Sequence, residues 1–209
     1  MAASAGRAFS KLVTACLLSL VLSAPASLLA ATVEERQNEF KAAALYNLVI
    51  FADWPEEGFT SPEAPLVIGV WGEGPVATLL PGLVKGEKWR GRPIALKHYT
   101  SPPEAGDCHV LFIARSAQGN WASIRETLPK KYLLTVSDLD QFAANGGGVQ
   151  ISFQNNKLHL SVNLGVTRQA GITLSSRLLR LSEVIGNPRS EWDWTAPVSP
   201  GVSIVSLAW

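Results

Sequence analysis

The sequence predicts an α/β fold: a mixed, largely parallel sheet with a C-terminal β-hairpin, flanked by helices on both faces. Three observations carry this reading. Two short runs, LVIGVW at Leu66–Trp71 and HVLFIA at 109–114, are apolar on both faces, which suits strands covered from both sides. Helix-length segments separate the strand-like runs, the alternation expected of a parallel sheet. Two strictly alternating stretches meet at Asn155-Asn156, a pair that tolerates the left-handed backbone of a type I′ hairpin turn, and this adds an antiparallel pair.

Residues 33–54 have a helical pattern. Phe40, Ala44, Leu48 and Phe51 recur at spacings of four, four and three, acidic residues crowd the first turns, and Pro55 ends the run. Leu66–Trp71, 94–99, 109–114 and 132–136 read as strands. Between them Pro75–Val84 and 118–128 are expected to be helices, with a third, short one at 138–144. Val149, Ile151 and Phe153, then Leu158, Leu160 and Val162, alternate with polar residues and form the hairpin. A last helix is expected over 176–185, with Ser175 as its N-cap and Gly186 and Pro188 as its stop.

The N-terminus reads as an address. Arg7 and Lys11 precede an eleven-residue apolar or small run, Leu12 to Leu22, followed by Ala24-Pro25-Ala26 and Leu28-Leu29-Ala30. A basic region, a short apolar region and small residues, in that order, predict a secretory signal peptide over 1–31, with cleavage within 26–31. The apolar run is too short to cross a bilayer, which takes about twenty residues. Cys16 lies inside it and not at its end, which argues against a lipoprotein. The expectation is an exported, soluble domain over 32–186, followed by a Trp- and Pro-rich tail over 187–209 containing Trp192, Trp194 and Trp209.

Composition narrows the function classes. Eighteen Lys and Arg against 17 Asp and Glu exclude the basic balance of a dedicated nucleic-acid binder. Loss of Arg7 and Lys11 with the signal takes the formal net charge from +1 to −1, so no electrostatic case remains for binding anionic lipid. Cys16 would leave with the signal too, and Cys108 would then have no intramolecular partner.

Motifs of catalysis are scarce. The adjacent Cys108 and His109 suggest a dyad, but neighbouring strand residues point to opposite faces, which favours a buried, inert thiol. His98, His109 and His159 fall on three strands without helical metal-ligand spacing. Neither a G-x-S-x-G elbow nor a Walker-type phosphate loop is present. Gly69 to Pro75 leaves a strand and enters a helix, but its spacing is not that of a dinucleotide loop, and Glu73 would repel phosphate. If a small ligand binds, the carboxyl ends of the parallel strands are the expected place. Those ends carry Gly72, Glu73, Gly74, Ser116, Ser137 and Asp138.

Several stretches together resemble a known family. They are Lys41-Ala42-Ala43-Ala44-Leu45-Tyr46-Asn47 running on to Asp53-Trp54-Pro55, then Gly91-Arg92-Pro93-Ile94 and Cys108-His109-Val110-Leu111-Phe112-Ile113. Leu134-Thr135-Val136-Ser137-Asp138, Gly146-Gly147 and Gly171-Ile172 leading to Leu174-Ser175-Ser176-Arg177-Leu178-Leu179 complete the set. In that order and spacing they look like the YfiR family of periplasmic proteins, over about residues 40–184. The resemblance implies regulation and no catalysis. Its best-known members repress an inner-membrane diguanylate cyclase by binding its periplasmic sensor portion, and so restrain cyclic di-GMP synthesis and biofilm formation. It also implies a homodimer, no cofactor and no catalytic residues, with a sensor kinase as another partner class; the histidine spacing gives no reason to expect a metal. The chain departs from the pattern at Gly69, where many relatives carry a second cysteine, so a redox-sensitive intramolecular disulfide is not expected. The alternative reading is a small periplasmic ligand-binding protein that uses the strand ends named above.

Overall fold

The computed structural model of the protein describes residues 26–101 and 108–186. The expected signal peptide lies outside them as far as residue 25, and the tail over 187–209 lies outside them entirely.

A long helix, α1 (Ala26–Ile50), opens the described chain. β1 (Ala52–Asp53) follows, then β2 (Leu66–Trp71), α2 (Pro75–Val84), β3 (Lys88–Trp89), β4 (Arg92–Tyr99) and β5 (Val110–Ile113). A 3₁₀ segment (Arg115–Asn120) and the one-turn α3 (Trp121–Ile124) lead to β6 (Leu134–Ser137). β7 (Val149–Gln154), β8 (Lys157–Asn163), α4 (Leu164–Gln169), β9 (Thr173–Leu174), α5 (Ser176–Arg180) and β10 (Glu183–Ile185) complete it. The main sheet runs β10-β8-β7-β6-β5-β2-β4-β3, parallel throughout except at the β7–β8 hairpin and the β3–β4 edge. β1 pairs with β9 in a separate two-stranded ladder.

The sheet is mixed and mostly parallel, as the apolar runs predict. β2 and β5 are buried at every position. Ile68, Val70, Val110, Phe112, Leu134 and Val136 face α1 and α2 through Leu45, Leu48, Val49, Val76 and Leu80. Val67, Leu111 and Ile113 face Trp121, Ile124, Leu128, Leu139 and Phe142 on the other side. The hairpin turn has φ of 50° at Asn155 and 61° at Asn156, the two left-handed residues that a type I′ turn requires. Ser175 caps α5, its Oγ accepting from the Leu178 N–H at 3.2 Å.

Four elements differ from expectation, two of them because a tertiary pairing overrides a local pattern. The first helix ends at Ile50, and Ala52–Asp53 leave it to pair with Thr173–Leu174. The last helix stops at Arg180, because Glu183–Ile185 add as a strand beside Ser161–Asn163, where the β-branched Val184 and Ile185 fit. Residues 118–128 form a 3₁₀ segment and a single α-turn, with Pro129 just beyond. Residues 138–144 are turns, held by Ser137 and not by a helical ladder.

Candidate functional site

The strand order places a topological switch beside β2. The chain goes from β2 through α2 to β4 on one side, then crosses to β5 on the other side and continues to β6. Loops leaving the carboxyl ends of β2 and β5 therefore diverge, and a crevice opens between them. A cleft of about 160 Å³ occupies this position, lined by Glu34, Asn38 and Lys41 from α1, Glu73 to Val76 after β2, Phe112, Ala114 and Arg115 at the end of β5, and Asp138 after β6. Two larger hollows exist, about 210 Å³ beside Trp121 and about 330 Å³ beside Trp89, but neither lies at the strand ends.

Electrostatics organise the cleft floor. Lys41 Nζ donates to Asp138 Oδ2 at 2.7 Å, and both side chains are largely buried. Arg115 Nε lies 3.5 Å from the same carboxylate oxygen, while its Nη2 donates to the Asp138 carbonyl at 2.7 Å and reaches Asp140 at 3.4 Å. One carboxylate thus ties the middle of α1 to the end of β5 and the end of β6. Among the described residues, Glu34 and Glu73 line the cleft without an ion-pair partner.

The six residues expected at the strand ends divide into three groups. Glu73, Gly74 and Asp138 line the cleft. Gly72 and Ser116 brace it from behind: Ser116 Oγ accepts from the Glu73 N–H at 2.8 Å and donates to the Glu73 carbonyl at 2.9 Å. Gly72 has φ +89°, and a Cβ there would stand 2.6 Å from Ser116 Oγ, so both backbone and space demand glycine. Ser137 is fully buried; its Oγ donates to the Ile113 carbonyl at 2.6 Å and accepts from the Leu139 N–H at 3.1 Å, which joins β6 to β5. Sequence reasoning missed Lys41, Arg115, Glu34 and Asn38 as cleft residues. The signal was there for α1, since 34, 38 and 41 recur at spacings of four and three and so share one helix face.

The Cys108-His109 pair precedes β5, and the two side chains have different neighbours. A Cβ on Gly69 would lie 3.0 Å from Cys108 Sγ and 2.7 Å from the Tyr99 ring, so the thiol packs against β2 where a side chain is missing. His109 Nδ1 accepts from the Val67 N–H at 3.0 Å, and Nε2 lies 3.1 Å from the Gly58 carbonyl, which fixes a neutral, Nε2-protonated ring. Burial pushes its pKa down, opposed by the Gly58 hydrogen bond and aided by the charge of Arg92. The imidazole stacks on Phe59 at 4.4 Å, and Phe59 in turn stacks on Trp89 and carries the Arg92 guanidinium 4.0 Å from its ring. Trp54 meets Trp89 edge-on at 5.6 Å. Three stretches that are far apart in sequence, 54–59, 89–92 and His109, thereby share one aromatic cluster with a structural role. Among the described residues no group of three or more His, Cys, Asp or Glu is spaced to hold a metal ion.

A family model described as YfiR/HmsC-like matches residues 38–183, most of the described chain. The chain belongs to the YfiR/HmsC-like family. No curated protein matches it significantly. Among the described residues no helix is long and apolar enough to cross a membrane. The YfiR/HmsC-like match ends at Ser182-Glu183, so the tail lies beyond it.

Proposed function

We propose that this YfiR/HmsC-like protein is a non-catalytic periplasmic regulator. It binds the periplasmic sensor part of an inner-membrane signalling protein, a diguanylate cyclase or a sensor kinase, and with a cyclase it holds cyclic di-GMP synthesis in check. The observation that carries this reading is the family match over residues 38–183. Repression by binding requires higher affinity for the inactive partner state, and a signal acts by weakening that preference. The working form is a homodimer without a cofactor. The test is affinity capture of the tagged full chain from gently solubilised host membranes, together with cyclic di-GMP measurement in a deletion strain. Recovery of a membrane cyclase and a rise in cyclic di-GMP are expected. Repeated capture without any cyclase or kinase, and with unchanged cyclic di-GMP, defeats the reading.

The switch-point cleft favours a second reading, a small-ligand site at the strand ends that includes Glu73, Gly74 and Asp138, with Gly72, Ser116 and Ser137 supporting them. Native mass spectrometry of the protein taken from the periplasm tests it. A bound small molecule that is lost in Glu73→Lys is expected, and a bare mass in every preparation counts against it.

A further inference from the structure

A largely buried imidazole holds down a surface segment that has little core of its own. No residue from Pro55 to Pro65 is buried. The backbone hydrogen bonds within the segment are local turns, from the Gly58, Phe59 and Ala64 N–H groups to the Pro55, Glu56 and Ser61 carbonyls. Two distant side chains anchor it to the sheet. Arg92 on β4 donates to the Ser61 and Ala64 carbonyls at 2.8 and 3.1 Å and pairs with Glu56. His109 meets the Gly58 carbonyl at 3.1 Å through Nε2, and its ring stacks on Phe59 at 4.4 Å. Segments held by few buried contacts are the ones that open locally while the rest of a domain stays folded.

The His109 anchor works in one charge state. Nδ1 accepts from the Val67 N–H of β2 at 3.0 Å, and a nitrogen that accepts there carries no proton. A second proton would set two N–H donors against each other. It would also add a cation near the buried Arg92, whose guanidinium lies 4.0 Å from the Phe59 ring. The ring must then turn from Val67, and Gly58 and Phe59 lose the surface that seats them. The surrounding charges do not relieve this conflict. The 3₁₀ turn Glu56–Gly58 brings Glu56, engaged by Arg92, and the exposed Glu57. β3 brings Lys88, followed by Arg90, which pairs with Asp53 of β1, and β4 carries the exposed Lys97 and His98 beyond Arg92. β2 and β5 bring no charge, and Tyr132, next to Lys131, packs against Gly58. Among the described residues both ring nitrogens bond to backbone groups, so no carboxylate supports the cation.

We propose that His109 is an acid-released latch: neutral, it clamps Pro55 to Pro65 onto β2 and β4, and its protonation frees that segment and uncovers the Phe59 and Trp89 rings. The latch needs no assumption about the partner, so it stands apart from the regulatory reading. Because the open segment binds the proton and the closed one excludes it, opening grows as pH falls below the ordinary histidine value. The experiment is hydrogen exchange on the full chain, with rates corrected for the intrinsic pH dependence of amide exchange. Protection of the Gly58, Phe59, Ala64 and Val67 amides should fall about tenfold between about pH 7.5 and about pH 5.5, while Val136 in β6 keeps its protection. His109→Gln, which does not titrate, should give the same protection at both ends. Ring-nitrogen NMR of the unaltered chain decides the matter if that variant fails to fold. Nδ1 should gain its proton over the range in which the segment loses protection. Protection that does not change with pH overturns the proposal, as does a ring that takes the second proton while the segment stays closed. A loss shared by Val136 overturns it too, since the whole domain then opens. So does a loss retained in His109→Gln, which would make Glu56 the sensor.

Discussion

Lys41 and Asp138, 97 residues apart, meet at 2.7 Å and fasten the middle of α1 to the carboxyl end of β6. Both side chains are largely buried, so the pair holds the cleft floor through a contact that water screens poorly. Arg115, at 3.5 Å, is a weaker second partner for the same oxygen.

Lys41→Met should therefore destabilise the fold by about 3 kcal/mol, because it leaves a buried carboxylate with only the more distant Arg115 as a partner. Adding Asp138→Leu should recover part of that loss, giving a coupling of about 1 kcal/mol or more in a double-mutant cycle. Urea unfolding of the four proteins measures it, and additive single effects would show that the two groups do not depend on each other.

Gly69 should resist even the smallest side chain. Gly69→Ala forces a Cβ to 2.7 Å from Tyr99 and 3.0 Å from Cys108, an overpacking expected to cost about 1–3 kcal/mol. Gly69→Cys places a second sulfur within reach of Cys108 Sγ for a bond of about 2.0 Å. A non-reducing digest should yield the linked peptide, and the oxidised variant should unfold at higher urea than its reduced form. Failure to link under mild oxidation would contradict the packing of β2 against residue 108.

His109 predicts a pH dependence with a definite sign. Its folded pKa is lowered, chiefly by burial, so the unfolded chain binds the extra proton first as pH falls. The stability it contributes is complete above its unfolded value of about 6.5 and is lost as pH falls from there toward the folded pKa. Protonation would also set an N–H on Nδ1 against the Val67 N–H. His109→Gln should cost about 1–3 kcal/mol at neutral pH through the lost hydrogen bonds, and should flatten stability over this window. Parallel slopes for the two proteins, in unfolding midpoints measured across it, would refute the assignment.

Some of the protein is written locally. The doubly apolar Leu66–Trp71, the helix Pro75–Val84 with proline in its first turn, the Asn155-Asn156 turn and the Ser175 cap each depend on residues within a few positions of one another. Periodicity and backbone preference fix such features before any long-range contact forms. The parallel character of the sheet was legible for the same reason, since a strand that is apolar on both faces requires cover on both faces.

Strand order was not legible, and strand order decides the rest. It sends Glu183–Ile185 to β8, so a helical pattern becomes a strand. It turns Ser137 into the β5–β6 contact, although its sequence position suggested a ligand. It brings Lys41 and Arg115 to Asp138, from segments whose sequences show no mutual signal. Residue pattern determined which segments were strands and helices, because that information lies in nearest neighbours. Only the folded sheet decided which strand ends share a crevice, because that depends on which distant strands pair.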